Sequence, residues 1–434
     1  MNRRQFLGRT IAGSLIVAAK PSPAADGIVG HSPSGAAATT TRLSIAEYAP
    51  YRRGPAEIVQ KRLDLYKELG CGSLRLGAGW WDLETSEGHW RELPILGYLD
   101  QAKTNGFRFK LEIGTVGAPP AWYLAAHPDA KIRNQQDEFS KADISPWYPG
   151  IRAVLSQKTD ALFKYLAQVK VLEAADSVFV DLGPAGEPIY PAAWTMGKSN
   201  CNELTPWYFA DHAPVDFREA MTKKYGNLQQ ANRLWKTKFS NWAEVKPLDP
   251  GERPGAMWED VLLWYRDTKR AFIRWQVDNY QQALRKHAPG ANIGLIIMIP
   301  GSHISVEEWQ QALSSGRADC SITIMTDSEF LLDLAREYGC AVQCTGAENA
   351  PEVRYLRQYM IAHHIVTPLW AENAGVERVA RNPERLANII EDNHLYGLEY
   401  VNSSYLFEPD GITPNDTYLA LSRTCARLRQ IFAN

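Results

Sequence analysis

From residue 43 onward, short apolar runs of strand length take turns with longer segments of helical period. Residues 43–48 read as a strand. Residues 56–69 carry an apolar stripe of Ile58, Leu63, Leu65, Tyr66 and Leu69 at helical spacing, and Gly70 supplies a stop. Strands are predicted at 72–77 and 107–113, helices at 95–102 and 159–175, and a fourth strand begins at Val178. An alternation of this kind makes a parallel sheet, because each helix carries the chain back to the same end. With 434 residues the chain is long enough to close that sheet into a (β/α)8 TIM barrel.

The second half keeps the rhythm less cleanly. Residues 191–257 are rich in Trp, Asn and Pro with short helical pieces such as 217–226, an elaborated segment after strand 4 lying over the barrel. A long helix at 258–287 leads to a fifth strand at 293–298. Four further stretches look like strands, at 321–325, 341–344, 366–370 and 399–405, and an eight-stranded barrel has room for three. No fixed-period repeat is visible. The whole of 42–434 is therefore read as one barrel domain with an insertion at about 191–257.

The first 24 residues have the pattern of an export signal. Arg3 and Arg4 precede Phe6 and Leu7, and an apolar run at 11–19 is too short to span a bilayer. The arginine pair resembles a twin-arginine signal, which implies the twin-arginine export machinery as a partner and a periplasmic or secreted location. Residues 25–41 read as a flexible spacer. Small-residue cleavage sites occur near Ala24 and near Ala38. The net charge of −2 and the lack of a later basic run argue against nucleic acid, and no later segment is apolar enough for a membrane span. The six Cys form no C-x-x-C pair. Cys340 and Cys344 on one strand would be about 13 Å apart, too far to bridge. No metal cluster and no Gly-rich dinucleotide loop is present, so no cofactor is expected.

The chemistry concentrates in residues 178–190 (VFVDLGPAGEPIY), where a strand runs into a Gly/Pro turn and then a lone carboxylate, Glu187. In a parallel barrel the strand C-termini carry the active site. Two more Glu take the same position after strands: Glu348 in 344–349 (CTGAEN) and Glu372 in 369–373 (LWAEN). Cleavage of a glycosidic bond needs two facing carboxylates, one to protonate the leaving oxygen and one to attack or to activate water. Fourteen Trp and nineteen Tyr fit a cleft with aromatic platforms for sugar rings, and equally a large core. Trp80, Trp81, Trp122, Tyr190, Trp194 and Trp370 lie at or just after strand ends, as do Asn373 and Tyr405. His303 and Asp327 follow strands five and six and are weaker candidates for hydroxyl binding.

Residues 69–81 (LGCGSLRLGAGWW), 83–88 (LETSEG), 114–122 (GTVGAPPAW) and His127-Pro128 resemble the clan A glycoside hydrolases, most closely family 42 of the β-galactosidase type. The run 217–242 looks like the same family. Residues 183–191 (GPAGEPIYP) are instead similar to the acid-bearing motif of family 14 β-amylases; clan A enzymes usually have Asn before this Glu, where this chain has Gly186. Both resemblances imply that Glu187 is the proton donor of a glycosidase acting on a carbohydrate. They differ on its partner. The clan A pattern implies Glu372 as nucleophile, with retention, held ionised by Arg75 on strand two. The β-amylase pattern implies Glu348 as base, with inversion. The strand leading to Glu372 favours the first. Burial beside proline would keep Glu187 protonated. A sugar-binding barrel without turnover is the rival from another class.

Overall fold

The computed structural model describes residues 42–117, 119–191, 206–248, 255–300, 311, 327–373, 375 and 377–433. Eight parallel strands close a barrel: β1 (Leu43–Ala46), β2 (Ser73–Gly79), β3 (Arg108–Gly114), β4 (Ala175–Val180), β5 (Gly294–Ile299), β6 (Ala341–Cys344), β7 (Leu369–Glu372) and β8 (Gly397–Tyr400). Each is followed by a helix: α1 (Ala56–Glu68), α2 (Leu96–Thr104), α3 (Ile151–Gln168), α4 (Ala256–His287), α5 (Ser328–Tyr338), α6 (Ala350–Ala362), α7 (Glu384–Asp392) and α8 (Asp416–Ala433). β8 pairs with β1, Leu43 opposite Leu398, which closes the ring.

The surplus strand is resolved by register. β6 pairs directly with β5, from Ala341 opposite Ile296 to Cys344 opposite Ile299, so nothing is inserted between them. The stretch at 321–325 lies outside the described residues. Boundaries moved elsewhere. The seventh strand, expected at 366–370, begins at Leu369 and ends on Glu372 itself. The last, expected at 399–405, occupies Gly397–Tyr400, and Ser403–Leu406 is a short 3-10 turn. The third helix, expected at 159–175, begins at Ile151. Gly70 does end the first helix, at a φ of 81°.

Strand faces divide by chemistry. Outward side chains such as Leu74, Leu76, Phe109, Leu111, Val178, Ile297 and Leu398 join the helices in one continuous apolar core. The inward face has a small apolar cluster of Phe179, Ile296 and Met298. Much of the rest is polar: Ser44, Arg75, Lys110, Gln343, Glu372 and Glu399 are all buried there. Aliphatic side chains usually fill this space, so charges in it mark the site.

A second core of Trp147, Tyr190, Trp207, Phe217, Trp235, Trp258 and their neighbours packs the segment after β4. α4 joins the two cores. Its 32 residues span about 48 Å. Its first turns (Met257, Trp258, Val261) lie in the second core, and its later ones (Phe272, Val277, Tyr280) lie in the main core.

Candidate active site

Arg75 organises the barrel floor. Its Nη1 donates to Glu372 Oε2 at 2.9 Å and to Glu399 Oε1 at 3.0 Å, and its Nη2 donates to Glu112. Gln343 Nε2 repeats the bridge, at 2.6 Å to Glu372 Oε2 and 2.8 Å to Glu399 Oε1. The other oxygen of Glu399 meets Ser44 Oγ and the Lys110 ammonium, each at 3.1 Å. Both carboxylates are thus held by shared donors, which compensates the cost of burying them.

The two carboxyls titrate apart. Burial works against ionisation of Glu399, but the charges of Lys110 and Arg75 and the Gln343 hydrogen bond overcome it and hold its pKa down at about 2. For Glu372 burial wins, aided by the negative charges of Glu399 and Glu187, and its pKa is pushed up to about 7 despite Arg75. Arg75 stands beside Glu372, where the sequence placed it, and favours the ionised form, but its charge is shared among three carboxylates and burial of Glu372 acts against it.

Glu187 sits half-buried in the turn after β4 and accepts a hydrogen bond from Thr345 Oγ1 at 2.6 Å, just past β6. The turn is braced from below. Asp181 accepts three backbone N–H groups, from Thr115, Val116 and Gly117 at 2.6, 2.6 and 3.1 Å, tying the β3 and β4 loops together. From α4, Lys269 Nζ donates to Leu182 O at 2.9 Å, and Gln276 donates to Asp181 O at 3.2 Å. Gly186 has a φ of 78°, and a Cβ there would run into the Met298 methyl. The positive φ is the firmer reason for Gly at this position, where the clan A pattern has Asn, since the Met298 methyl ends a flexible side chain that can move aside.

Arg75 and Glu372 meet inside the barrel, Glu187 lies on the turn after β4, and Trp81 stands at the mouth just past β2. Trp81 is 40% exposed, and its ring lies over Gly79 and Gly114, the last residues of β2 and β3. The other aromatic candidates are packing residues. Trp80 is fully buried, edge-on to Trp122 at 6.0 Å, and donates to Glu84; Trp122 Nε1 donates to Glu84 O at 2.9 Å. Tyr190 is buried and stacked on Tyr265 at 4.1 Å. Trp370 fills the barrel interior, with Lys110 Nζ 3.4 Å from its ring centre. Asn373 is buried and accepts the Val401 N–H at 2.9 Å. Tyr405 is half-exposed under Arg381. Of these side chains, expected to meet substrate because they follow strands, Trp80, Trp122 and Tyr190 pack in the shell that supports the loops, whereas Trp370 lies inside the barrel and Tyr405 is half-exposed.

Glu348 is half-buried in the loop after β6, and neither Arg75 nor Gln343 bonds to it. Asp327 pairs with Arg270 at 2.6 Å. His303 and Trp194 lie outside the described residues. Lys110, Glu112, Gln343, Thr345 and Glu399 were missed from sequence. One signal was legible: the third strand alternates apolar and charged residues, whereas a strand buried on both faces should be apolar throughout.

Comparison with known proteins follows the same lines. The glycoside hydrolase 42 model, described as beta-galactosidase, matches residues 47–168 and 192–328, more than half of the chain. The chain belongs to glycoside hydrolase family 42. Among curated proteins this family 42 member is 25% identical over 240 residues to a beta-amylase of Cytobacillus firmus, covering 48% of each chain. It is 22% identical over 161 residues to a beta-amylase of Niallia circulans, covering 33% of this chain and 26% of that one. It thus spans less than half the length of these relatives. Among solved structures it resembles the catalytic domain of a beta-amylase from Paenibacillus polymyxa, with TM-score 0.73 and 16% identity over 88% of this chain and 96% of that one. A catalytic mutant of a family 42 beta-galactosidase from G. stearothermophilus gives TM-score 0.62 and 14% identity over 91% of this chain and 57% of that one. At such identities the structural likeness establishes the (β/α)8 barrel fold.

Proposed function

We propose that this protein hydrolyses O-glycosidic bonds of an oligo- or polysaccharide, with Glu187 as general acid and Glu372 as the second carboxylate. One observation carries the reading. Glu187 follows β4 and Glu372 ends β7, and β6 reaches both: Thr345 bonds Glu187 Oε1 and Gln343, two residues earlier, bonds Glu372 Oε2, each at 2.6 Å. Glycoside cleavage requires such a carboxylate pair.

Arg75 and Gln343 fix Oε2 of Glu372, which orients the carboxylate before substrate arrives. Thr345 fixes Oε1 of Glu187 in the same way. With Glu372 as nucleophile the reaction proceeds with retention, as suits family 42. Trp81 offers an apolar face for the sugar ring. The family suggests a β-galactoside as substrate, and the beta-amylase relatives an α-glucan. Export through the twin-arginine route to the periplasm or beyond is part of the same proposal, supported by the arginine pair and apolar run at the N-terminus.

A screen of β-galactosides, β-glucosides and α-glucans with purified protein, with product anomers followed by NMR, tests activity, linkage and stereochemistry together. Glu187→Gln is expected to lower turnover of an unactivated glycoside by about a thousandfold or more. Wild-type rates in that variant would remove Glu187 from the mechanism. Tight sugar binding with no product from the wild type would favour the non-catalytic alternative.

A further inference from the structure

We propose that Glu112 and Trp81 together form a sugar subsite that selects a neutral sugar unit by one of its free hydroxyls. The inference rests on the carbohydrate reading above and adds a residue to it.

Glu112 differs from the other carboxylates of the floor. The Glu372 side chain is 7% exposed and that of Glu399 0%, but Glu112 is 35% exposed. Arg75 Nη2 engages its Oε1, which orients the carboxylate and leaves Oε2 available as an acceptor. Gly77 stands opposite it on β2 with no side chain of its own; a Cβ there would sit 3.7 Å from Oε2 and 4.0 Å from Arg52 Nη1, so the Arg52 guanidinium borders the same flank. Two residues further along the same strands lie Gly79 and Gly114, which carry the exposed Trp81 ring. Two residues of strand span about 7 Å, so a sugar stacked on Trp81 brings its hydroxyl edge down to Glu112. An apolar platform with an anchored carboxylate at its edge suits a polyol ring, which has one apolar face and donors at its rim. A uronate or sulfated unit would set its own acceptor oxygens against the Glu112 carboxylate, acceptor against acceptor, and is disfavoured.

The test uses the full-length protein and 4-nitrophenyl β-galactoside, 4-nitrophenyl β-glucoside and maltotetraose, with the monodeoxy analogues of whichever is turned over. Removing the hydroxyl that Glu112 accepts should lower wild-type kcat/KM by roughly 10- to 100-fold, and in Glu112→Ala that discrimination should fall to about twofold or less. A purely structural role would weaken every analogue alike. Glu112→Gln keeps the size and an acceptor oxygen and should show an intermediate ratio, so it carries the test if the Ala variant does not fold. Undiminished discrimination in both variants, or none in the wild type, overturns the inference. No turnover of any glycoside by the wild type would instead count against the hydrolase reading. The subsite is then read by calorimetric titration with the same sugars: loss of binding in Glu112→Ala and in Trp81→Ala supports it, and equal binding in the variants or none in the wild type overturns it.

Discussion

Glu372 and Glu399 stand opposite each other across β7 and β8 and share two donors, yet their acidities diverge. The difference lies in the second oxygen. Glu399 has Lys110 and Ser44 there, while both donors to Glu372 converge on Oε2. If ionised Glu372 does the chemistry, activity should rise with pH through about 7, where that carboxyl loses its proton. Glu399→Gln removes a neighbouring negative charge and leaves Arg75 fewer anions to serve. Both changes favour the ionised form, so the rising limb of kcat/KM should move to lower pH by about one unit. A limb that stays in place, or moves to higher pH, would show that another group controls it.

Elements position these residues. The Glu187 turn is built by its neighbours: Asp181 caps the β3 loop, α4 supplies Lys269 and Gln276 from beneath, and the Met298 methyl of β5 packs against Gly186. Gly186→Ala meets both a positive φ and the Met298 methyl. A displacement of Glu187 by about 1 Å would cost on the order of a hundredfold in kcat/KM. Met298→Ala added to that variant should recover part of the loss, because it relieves the collision but not the backbone strain. No recovery, with Met298→Ala harmless alone, would show that backbone strain dominates. The sequence made this turn visible as a Gly/Pro cluster after a strand. It did not show that Gly186 takes a positive φ, nor that the Met298 methyl, from a residue 112 positions away, packs against it.

At the scale of the molecule the barrel and the segment after β4 are separate cores on one helix. Trp235 is nearly buried in the second core and donates to Asp260 of α4 at 2.6 Å. Trp235→Ala should cost about 3–5 kcal/mol locally. Hydrogen exchange should then quicken in the helices Ala213–Tyr225 and Leu228–Trp235 while the barrel strands keep their protection. Equal loss of protection in both would mean that the two cores unfold as one. The sequence by itself determined the barrel, because strand and helix periods are local and their alternation admits few other folds, and it singled out Glu187, Glu348 and Glu372 because strand ends are readable; Arg75, inside strand two, came from the family resemblance. It left one strand too many, since pairing partners are distant in the chain; only the direct β5–β6 register removed it. It also could not separate Trp81 from Trp80, adjacent residues of which one covers two glycines at the mouth and the other is buried. The charged floor of Lys110, Glu112, Gln343 and Glu399 was decided by tertiary structure alone, because a side chain's inward direction and its ion-pair partners are set by barrel closure, which brings residues more than 300 positions apart within hydrogen-bonding distance.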